Sequence, residues 1–424
     1  MKVNTVDLEQ HRNMLDILGK IATVRRGSAL GKSDELYYSL QAKYQDRLHE
    51  AAQKGEPIAA HTVVVPVEIM YALDIVPMHL EFTANTMAIA LKQHEEMFSA
   101  AKAMGYTPEV CSAHRILAAM FAMGWAPVPS TVIWSNQVCD NTAKCGDQVM
   151  EAYHIPGFFL DRPFRYTFNE TDYLTQELSD MVGHLEEISG KQMDWDKFGD
   201  VMKKSARMVE LHREIYRLRQ AVPYPTHNRH SSQMMVIMWY WMGTAEGITY
   251  LENVRDELSE RVKAGIGYAP KESYRLLGLF VPPFHKWKLL DWMEREHGAS
   301  LVAEPYSSHW GEWDYDPSNP LRSLALKQFI SPICQQMHGP MEEGVVTDAV
   351  ADAISHKVQG AIYWAHIGCR QACATIRATK DTLLEKADIP TLVMDMDIID
   401  PTFVSEEEMK DKLESFFELL DERQ

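Results

Sequence analysis

Gly360–Cys373 reads GAIYWAHIGCRQAC, and Val132–Cys145 reads VIWSNQVCDNTAKC. Each stretch opens on an apolar run rich in aromatic and β-branched residues and passes into a polar segment with helical character. A cysteine stands at the join, Cys369 in the one and Cys139 in the other. A strand followed by a helix is the repeating unit of a parallel α/β sheet, and ligands of such sheets bind outside the carboxyl ends of the strands. A thiol at a helix N-terminus also meets the positive end of the helix dipole, which is expected to lower its pKa and favour the metal-binding thiolate. The two stretches therefore point to an α/β fold with a soft-metal or iron–sulfur site built from widely separated thiols.

Working outward, short apolar runs alternate with helical stretches on both sides. Ala59–Pro66, Ile75–Leu80, Ser130–Trp134 and Pro156–Asp161 read as strands in the first half. Leu276–Val281, Ser300–Glu304, Gly360–Ala365 and Pro390–Asp395 read as strands in the second. Helices are expected between them, among them Ser112–Met123, Tyr173–Glu187, Trp195–Val222 and Met234–Asp256. Four strands in each half predict two open parallel-sheet α/β domains rather than one large sheet. The expected organisation is an N-terminal helical segment over 1–55, a first α/β domain over 56–225 and a second over 226–424, with the cluster site between the domains. The turn-rich PYPTHNRHSS, Pro223–Ser232, marks the boundary.

Composition narrows the function. The chain has 424 residues and a net charge of −18, from 42 basic and 60 acidic side chains, which argues against a nucleic-acid surface. No run of eighteen apolar residues is present, so no membrane span is expected. The apolar Met234–Met242 (MMVIMWYWM) is too short to cross a bilayer and reads as a buried helix. The N-terminus lacks the apolar core of a signal peptide, and a cytoplasmic protein is expected. Six cysteines are too few for a disulfide scaffold, leaving buried core thiols or ligands.

The familiar nucleotide, hydrolase and zinc motifs are missing: no GxGxxG after a strand, no GxxxxGK[ST], no GxSxG, no HExxH and no CxxC. His227 and His230 in THNRH read as solvated loop histidines. The thiols remain. Cys111 in EVCSAHR opens a predicted helix, as Cys139 and Cys369 do. Three thiolates on a [4Fe–4S] cluster leave one iron without a cysteine, open to a substrate oxygen.

The chain resembles a subunit of the 2-hydroxyacyl-CoA dehydratase and benzoyl-CoA reductase family over roughly its whole length. The resemblance rests on PVEIMYALDIVPM (Pro66–Met78), EVCSAHR (Glu109–Arg115), PSTVIWSNQVCDN (Pro129–Asn141), HIPGFFLDRPF (His154–Phe164) and DYDPSNPLRSLA (Asp314–Ala325). RVKAGIG, QGAIYWAHIGCR and the C-terminal DIPTLVMDMDIIDPTFVSEEEMKDKLESFF follow in the family's order.

It implies cluster ligands at Cys111, Cys139 and Cys369, a homologous second subunit in a heterodimer, and an ATP-hydrolysing iron–sulfur activator in an anaerobic setting. It further implies a ketyl radical anion of an acyl-CoA that expels the 2-hydroxyl group or, in the reductases, electrons that stay on an aromatic ring. Glu68 matches a family carboxylate near the substrate; its other reading is a helix-start glutamate following Pro66. Two departures stand out: HLEFTANTMAIA replaces an Asn-His-Ala-like stretch, and Thr402 follows Asp400 and Pro401 where the family carries Arg. Cys145, Cys334 and Cys373 read as core thiols. Their alternative is a second cluster, an [8Fe–9S] double cubane as in related homodimeric reductases of small molecules.

Overall fold

The computed structural model describes residues 6–28, 30–166 and 168–423. Residues 1–5 and 29 of the helical segment expected over 1–55 lie outside the described residues. The chain opens with α1 (Glu9–Val24) and α2 (Lys32–Lys54), then β1 (Ile58–His61), α3 (Glu68–Ala72), β2 (Val76–His79), α4 (Leu80–Leu91), α5 (His94–Ala103) and α6 (Ser112–Ala122). Next come β3 (Thr131–Ser135), α7 (Thr142–Tyr153), β4 (Gly157–Leu160) and the helices α8 (Phe168–Ser189), α9 (Trp195–Leu218), α10 (His230–Trp241) and α11 (Ala245–Ala264). The remainder is β5 (Tyr274–Leu279), α12 (Trp287–His297), β6 (Ala299–Ala303), α13 (Pro305–Ser308), α14 (Pro320–Ile330), α15 (Pro332–Met337), α16 (Val345–Ser355), β7 (Gly360–His366), α17 (Arg370–Ala387), β8 (Thr391–Met396) and α18 (Glu406–Glu422).

Two compact units result. The first takes the chain up to Val209, Val236–Asn253 and Glu312–Ile330; the second takes Glu210–Met235, Val254–Gly311 and the chain from Ser331. Each holds one four-stranded parallel sheet, in the order β2-β1-β3-β4 in the first and β6-β5-β7-β8 in the second. The α/β class and the two parallel sheets are as the alternating pattern predicts. The two orders share one topology: the first strand is inner, the second lies to one side and the third to the other. The strand order thus reverses between β1 and β3, and between β5 and β7, and such a reversal opens a crevice at the carboxyl ends of those strands. Cys139 follows β3 and Cys369 follows β7.

The strands are buried because helices cover the parallel sheets. Every residue of β1, β2, β3, β5, β6 and β7 is buried. β1 is shorter than the apolar run HTVVVP suggests. The chain leaves the sheet after His61, with Val64 at φ 64°, and buries Val63, Val65 and Val67 in a turn instead. The apolar Met234–Met242 is a buried helix, as expected, but it ends at Trp241 rather than running on to Asp256. Gly243 turns the chain at φ 80°, where a Cβ would meet Val201 Cγ1 at 2.7 Å.

His227 and His230 are buried, not solvated, and their rings meet edge to face at 5.9 Å in the second unit. His212, also in this unit, packs on the Trp310 ring, and neither of its ring nitrogens has a hydrogen-bond partner among the described residues. Burial pulls its pKa from 6.5 down to about 3. A depressed folded pKa gives stability that is full above 6.5 and lost as pH falls towards 3; each unit crossed costs up to about 1.4 kcal/mol. In urea unfolding, His212→Phe is expected to lose less stability than the wild type between about pH 7 and about pH 4. Equal losses would remove His212 from the account.

Candidate functional site

In the first unit Cys111 is the residue before α6, and its carbonyl accepts the backbone N–H groups of His114 and Arg115, both at 3.0 Å. Arg115 Nε donates to the Val110 carbonyl at 3.0 Å while its guanidinium lies over the Phe98 ring, so the turn carrying the thiol is pinned from two sides. α6 forms because SAHRILAAMFA is dominated by good helix formers, and it is buried from Ser112 to Phe121.

Cys139 is reached from β3 through Asn136–Val138. Asn136 anchors this turn to the end of β4, donating to the Arg162 carbonyl at 3.1 Å and accepting from the Arg162 N–H at 2.8 Å. Val138 sits at φ 74°, a strained conformation for a β-branched residue. Cys139 Sγ lies 2.9 Å from the Thr142 hydroxyl and accepts the Thr142 N–H at 3.4 Å, so the sulfur occupies the start of α7. Cys145, on the first turn of α7, is buried and donates to the Asn141 carbonyl at 3.4 Å.

Burial pushes the Cys145 thiol well up, and charge on Glu81, Cys139 and Cys111 adds to the rise. The three thiols of this unit and Glu81 therefore share one electrostatic neighbourhood. Cys139 is raised too, with burial ahead of the lowering by Thr142. The thiolate expected from the helix start is thus not what the protein favours at Cys139: desolvation outweighs the dipole, and binding a metal there must release the thiol proton.

A buried His–Glu group beside these thiols escaped the sequence reading. His61 ends β1 and His79 ends β2; the parallel register pairs them, with ring centroids 5.0 Å apart. Glu81 accepts from the Val63 N–H and stands 3.5 Å from His79 Nδ1 and 3.8 Å from His114 Nε2. Burial lifts its pKa to about 7 and pulls that of His61 down to about 4. The available signal was that HTVV and HLEF each place a histidine at the carboxyl end of a strand.

Glu68 is the first residue of α3 and fully buried. Its Oε1 accepts from Lys327 Nζ and, at 2.7 Å, from the Ser205 hydroxyl. Lys327 Nζ also reaches Ser205 Oγ at 3.2 Å. Glu68 Oε2 has no hydrogen-bond partner among the described residues.

In the second unit Cys369 is the residue before α17, and its sulfur accepts the Ala372 N–H at 3.5 Å. Cys373 donates to the His366 carbonyl at 3.4 Å and is exposed, so it is not a core thiol. The Tyr363 hydroxyl feels charge on both sulfurs and donates to the Ala372 carbonyl at 2.9 Å. Cys334, on α15, is fully buried. Its neighbours Gln335 and Gln336 both donate to Asp348. Asp397 and Asp400 act locally, accepting backbone N–H groups of the turn after β8.

Among the described residues no three His, Cys, Asp or Glu side chains converge tightly enough to hold a single metal ion. An iron–sulfur cluster does not require that, since its cysteines bind different irons, and thiols at helix starts are donors of the right softness. In donor chemistry, and in the local placement of each at a helix start, these thiols suit such a group.

Two parallel α/β units, each with a cysteine after its third strand, define the class of protein. The family described as 2-hydroxyglutaryl-CoA dehydratase, D-component, matches residues 62–420, and the chain belongs to it. It is 24% identical over 383 residues to the (R)-phenyllactyl-CoA dehydratase alpha subunit of Clostridium sporogenes, covering 88% of this chain and 91% of that one. It is 23% identical over 400 residues to the (R)-2-hydroxyisocaproyl-CoA dehydratase alpha subunit of Clostridioides difficile, covering 91% and 95%. A benzoyl-CoA reductase subunit of Thauera aromatica is 21% identical over 414 residues, covering 89% and 92%. No helix among the described residues is long and apolar enough to cross a membrane.

Proposed function

We propose that the chain is the iron–sulfur subunit of an ATP-activated 2-hydroxyacyl-CoA dehydratase, which removes water from a 2-hydroxyacyl-CoA thioester. The observation that carries this reading is the placement of Cys111, Cys139 and Cys369 at helix starts in a chain of this family. Those three thiols would hold a [4Fe–4S] cluster. When bound, such a cluster supplies one-electron chemistry and, with three cysteines for four irons, an iron open to an oxygen ligand. The protein's part is to exclude water, hold the thiols and move a proton. Glu68 is the carboxylate assigned to the proton: Lys327 and Ser205 occupy Oε1, which leaves Oε2 to accept. The relatives named alpha subunits support a homologous second subunit, and an ATP-hydrolysing iron–sulfur activator completes the reading.

One observation favours a second reading. Cys145 shares the electrostatic neighbourhood of Cys111 and Cys139, which suits a larger cluster, a double cubane drawing also on Cys334 and Cys373. Iron and acid-labile sulfide per chain, measured after anaerobic purification, separate the two. About four irons, unchanged in Cys145→Ala/Cys373→Ala, are expected for one cubane; about eight, halved in that variant, would favour the double cubane. Iron that survives Cys111→Ala/Cys139→Ala would sink both.

A further inference from the structure

A pocket of about 560 Å³ opens in the first unit among α6, α7 and the loop that runs from the end of α5 to Cys111. Its volume lies in the range of small-molecule sites, about 300–1,000 Å³. The walls are mainly apolar, from Met104, Leu117, Ala118, Phe121 and Val149, with Tyr106 as an amphipathic side chain. Three relations of position link it to the thiols. Val110 lines it and precedes Cys111. Val149 lines it from α7, one turn beyond Cys145 and on the same face. Burial raises the pKa of the Tyr106 hydroxyl, and charge on Cys145 adds to the rise while a hydrogen bond with Gln148 opposes it. The lining residues include no Lys, Arg or His, and their one acidic side chain is Glu151.

We propose that this pocket is the subsite for the acyl side chain, and that it selects thioesters whose side chain is uncharged and apolar, aromatic or branched. The inference rests on the acyl-CoA reading above and names its substrate class. An apolar wall rewards each buried carbon, whereas a carboxylate entering here would lose its hydration, find no cation and meet the charge of Glu151. A dicarboxylic acyl group is therefore excluded, and a short acyl group leaves the pocket unfilled.

The test uses the full chain, purified anaerobically with its iron and any subunit that copurifies, and three unreactive probes: 3-phenylpropionyl-CoA, propionyl-CoA and glutaryl-CoA. Methyl-labelled methionine gives the local readout, since Met104 lines the pocket and Met104→Leu identifies its signal. The phenyl thioester is expected to bind at least about tenfold tighter than the other two and to be the one that shifts the Met104 signal. Ala118→Trp fills the pocket from α6. Thr107→Trp narrows it from an exposed rim position and covers the case in which the first variant fails to fold. Either is expected to weaken the phenyl thioester by about tenfold and to leave propionyl-CoA within about twofold. Tight binding of the phenyl thioester with Met104 unmoved, or equal binding by the filled variants, overturns the pocket alone. Preferred binding of glutaryl-CoA overturns the selectivity. Failure of all three probes to bind iron-loaded protein overturns the acyl-CoA reading and the subsite with it.

Discussion

Lys327→Met is expected to destabilise the first unit by about 3–5 kcal/mol, because it leaves the Glu68 carboxylate buried without its cation. Both side chains are almost wholly inaccessible, and the other donor to Oε1 is the neutral Ser205 hydroxyl. A loss of that size is a large share of the about 5–15 kcal/mol that holds a typical protein together. Glu68→Gln alone strands the ammonium instead and is expected to cost a similar amount. The double variant, with neither charge, should recover most of the loss, since an ion pair replaced whole is often neutral. Urea unfolding of the four proteins checks this, and a Lys327→Met cost below about 1 kcal/mol would mean that the pair is solvated in solution. The same double variant decides the role of Glu68. If it folds and holds iron but cannot dehydrate, Glu68 moves the proton; if it dehydrates normally, the carboxylate is structural and the assigned role falls.

Gly146→Ala is the second large effect, and it reaches the thiols through packing. A Cβ at Gly146 would stand 2.0 Å from Trp134 Cδ2, and one at Gly157 would stand 2.8 Å from Trp134 Cζ3. The indole on β3 is thus seated between a glycine of α7 and a glycine of β4, and α7 packs as close to the sheet as it does because Gly146 has no side chain. Overpacking here is expected to cost about 1–3 kcal/mol, against which the better helix propensity of alanine returns about 1 kcal/mol. The displaced element carries Cys145 and the Thr142 groups that hold Cys139. Iron content should therefore fall by more than the loss of stability alone explains, and Trp134→Leu in the Gly146→Ala background should restore it. Unchanged iron in Gly146→Ala would show that α7 has room to shift without disturbing its sulfurs.

Much of the architecture was legible because parallel strands covered on both faces are short apolar runs, and all eight of the expected runs hold a strand. Cys111 and Cys369 could be placed because a helix start after a loop or strand is a local pattern. What escaped was set by distant partners or by exceptions to local pattern. Glu68 gave no sign of Lys327, 259 residues away. The proximity of His61 and His79 requires the β1–β2 register, and the burial of His227 and His230 requires the packing of the second unit. HTVVVP and the stretch through Gly243 carried the composition of a strand and a helix, but left-handed turns at Val64 and Gly243 broke them. The shared strand order of the two units was not legible, because the halves of the chain show no evident sequence repeat and strand order depends on pairing between distant segments.

The first unit is assembled from three separate stretches of chain, the last being Glu312–Ile330. On the ribosome its sheet emerges early, yet the lysine that neutralises Glu68 is made 259 residues later. At about 5–20 residues per second the carboxylate waits on the order of 10–50 s for its partner. Through that interval the space for α14 stands open and the nascent unit exposes apolar surface. A nascent chain stalled before Glu312 is therefore expected to be protease-sensitive and a client for chaperones, and resistance should come only after Ile330 has cleared the exit tunnel.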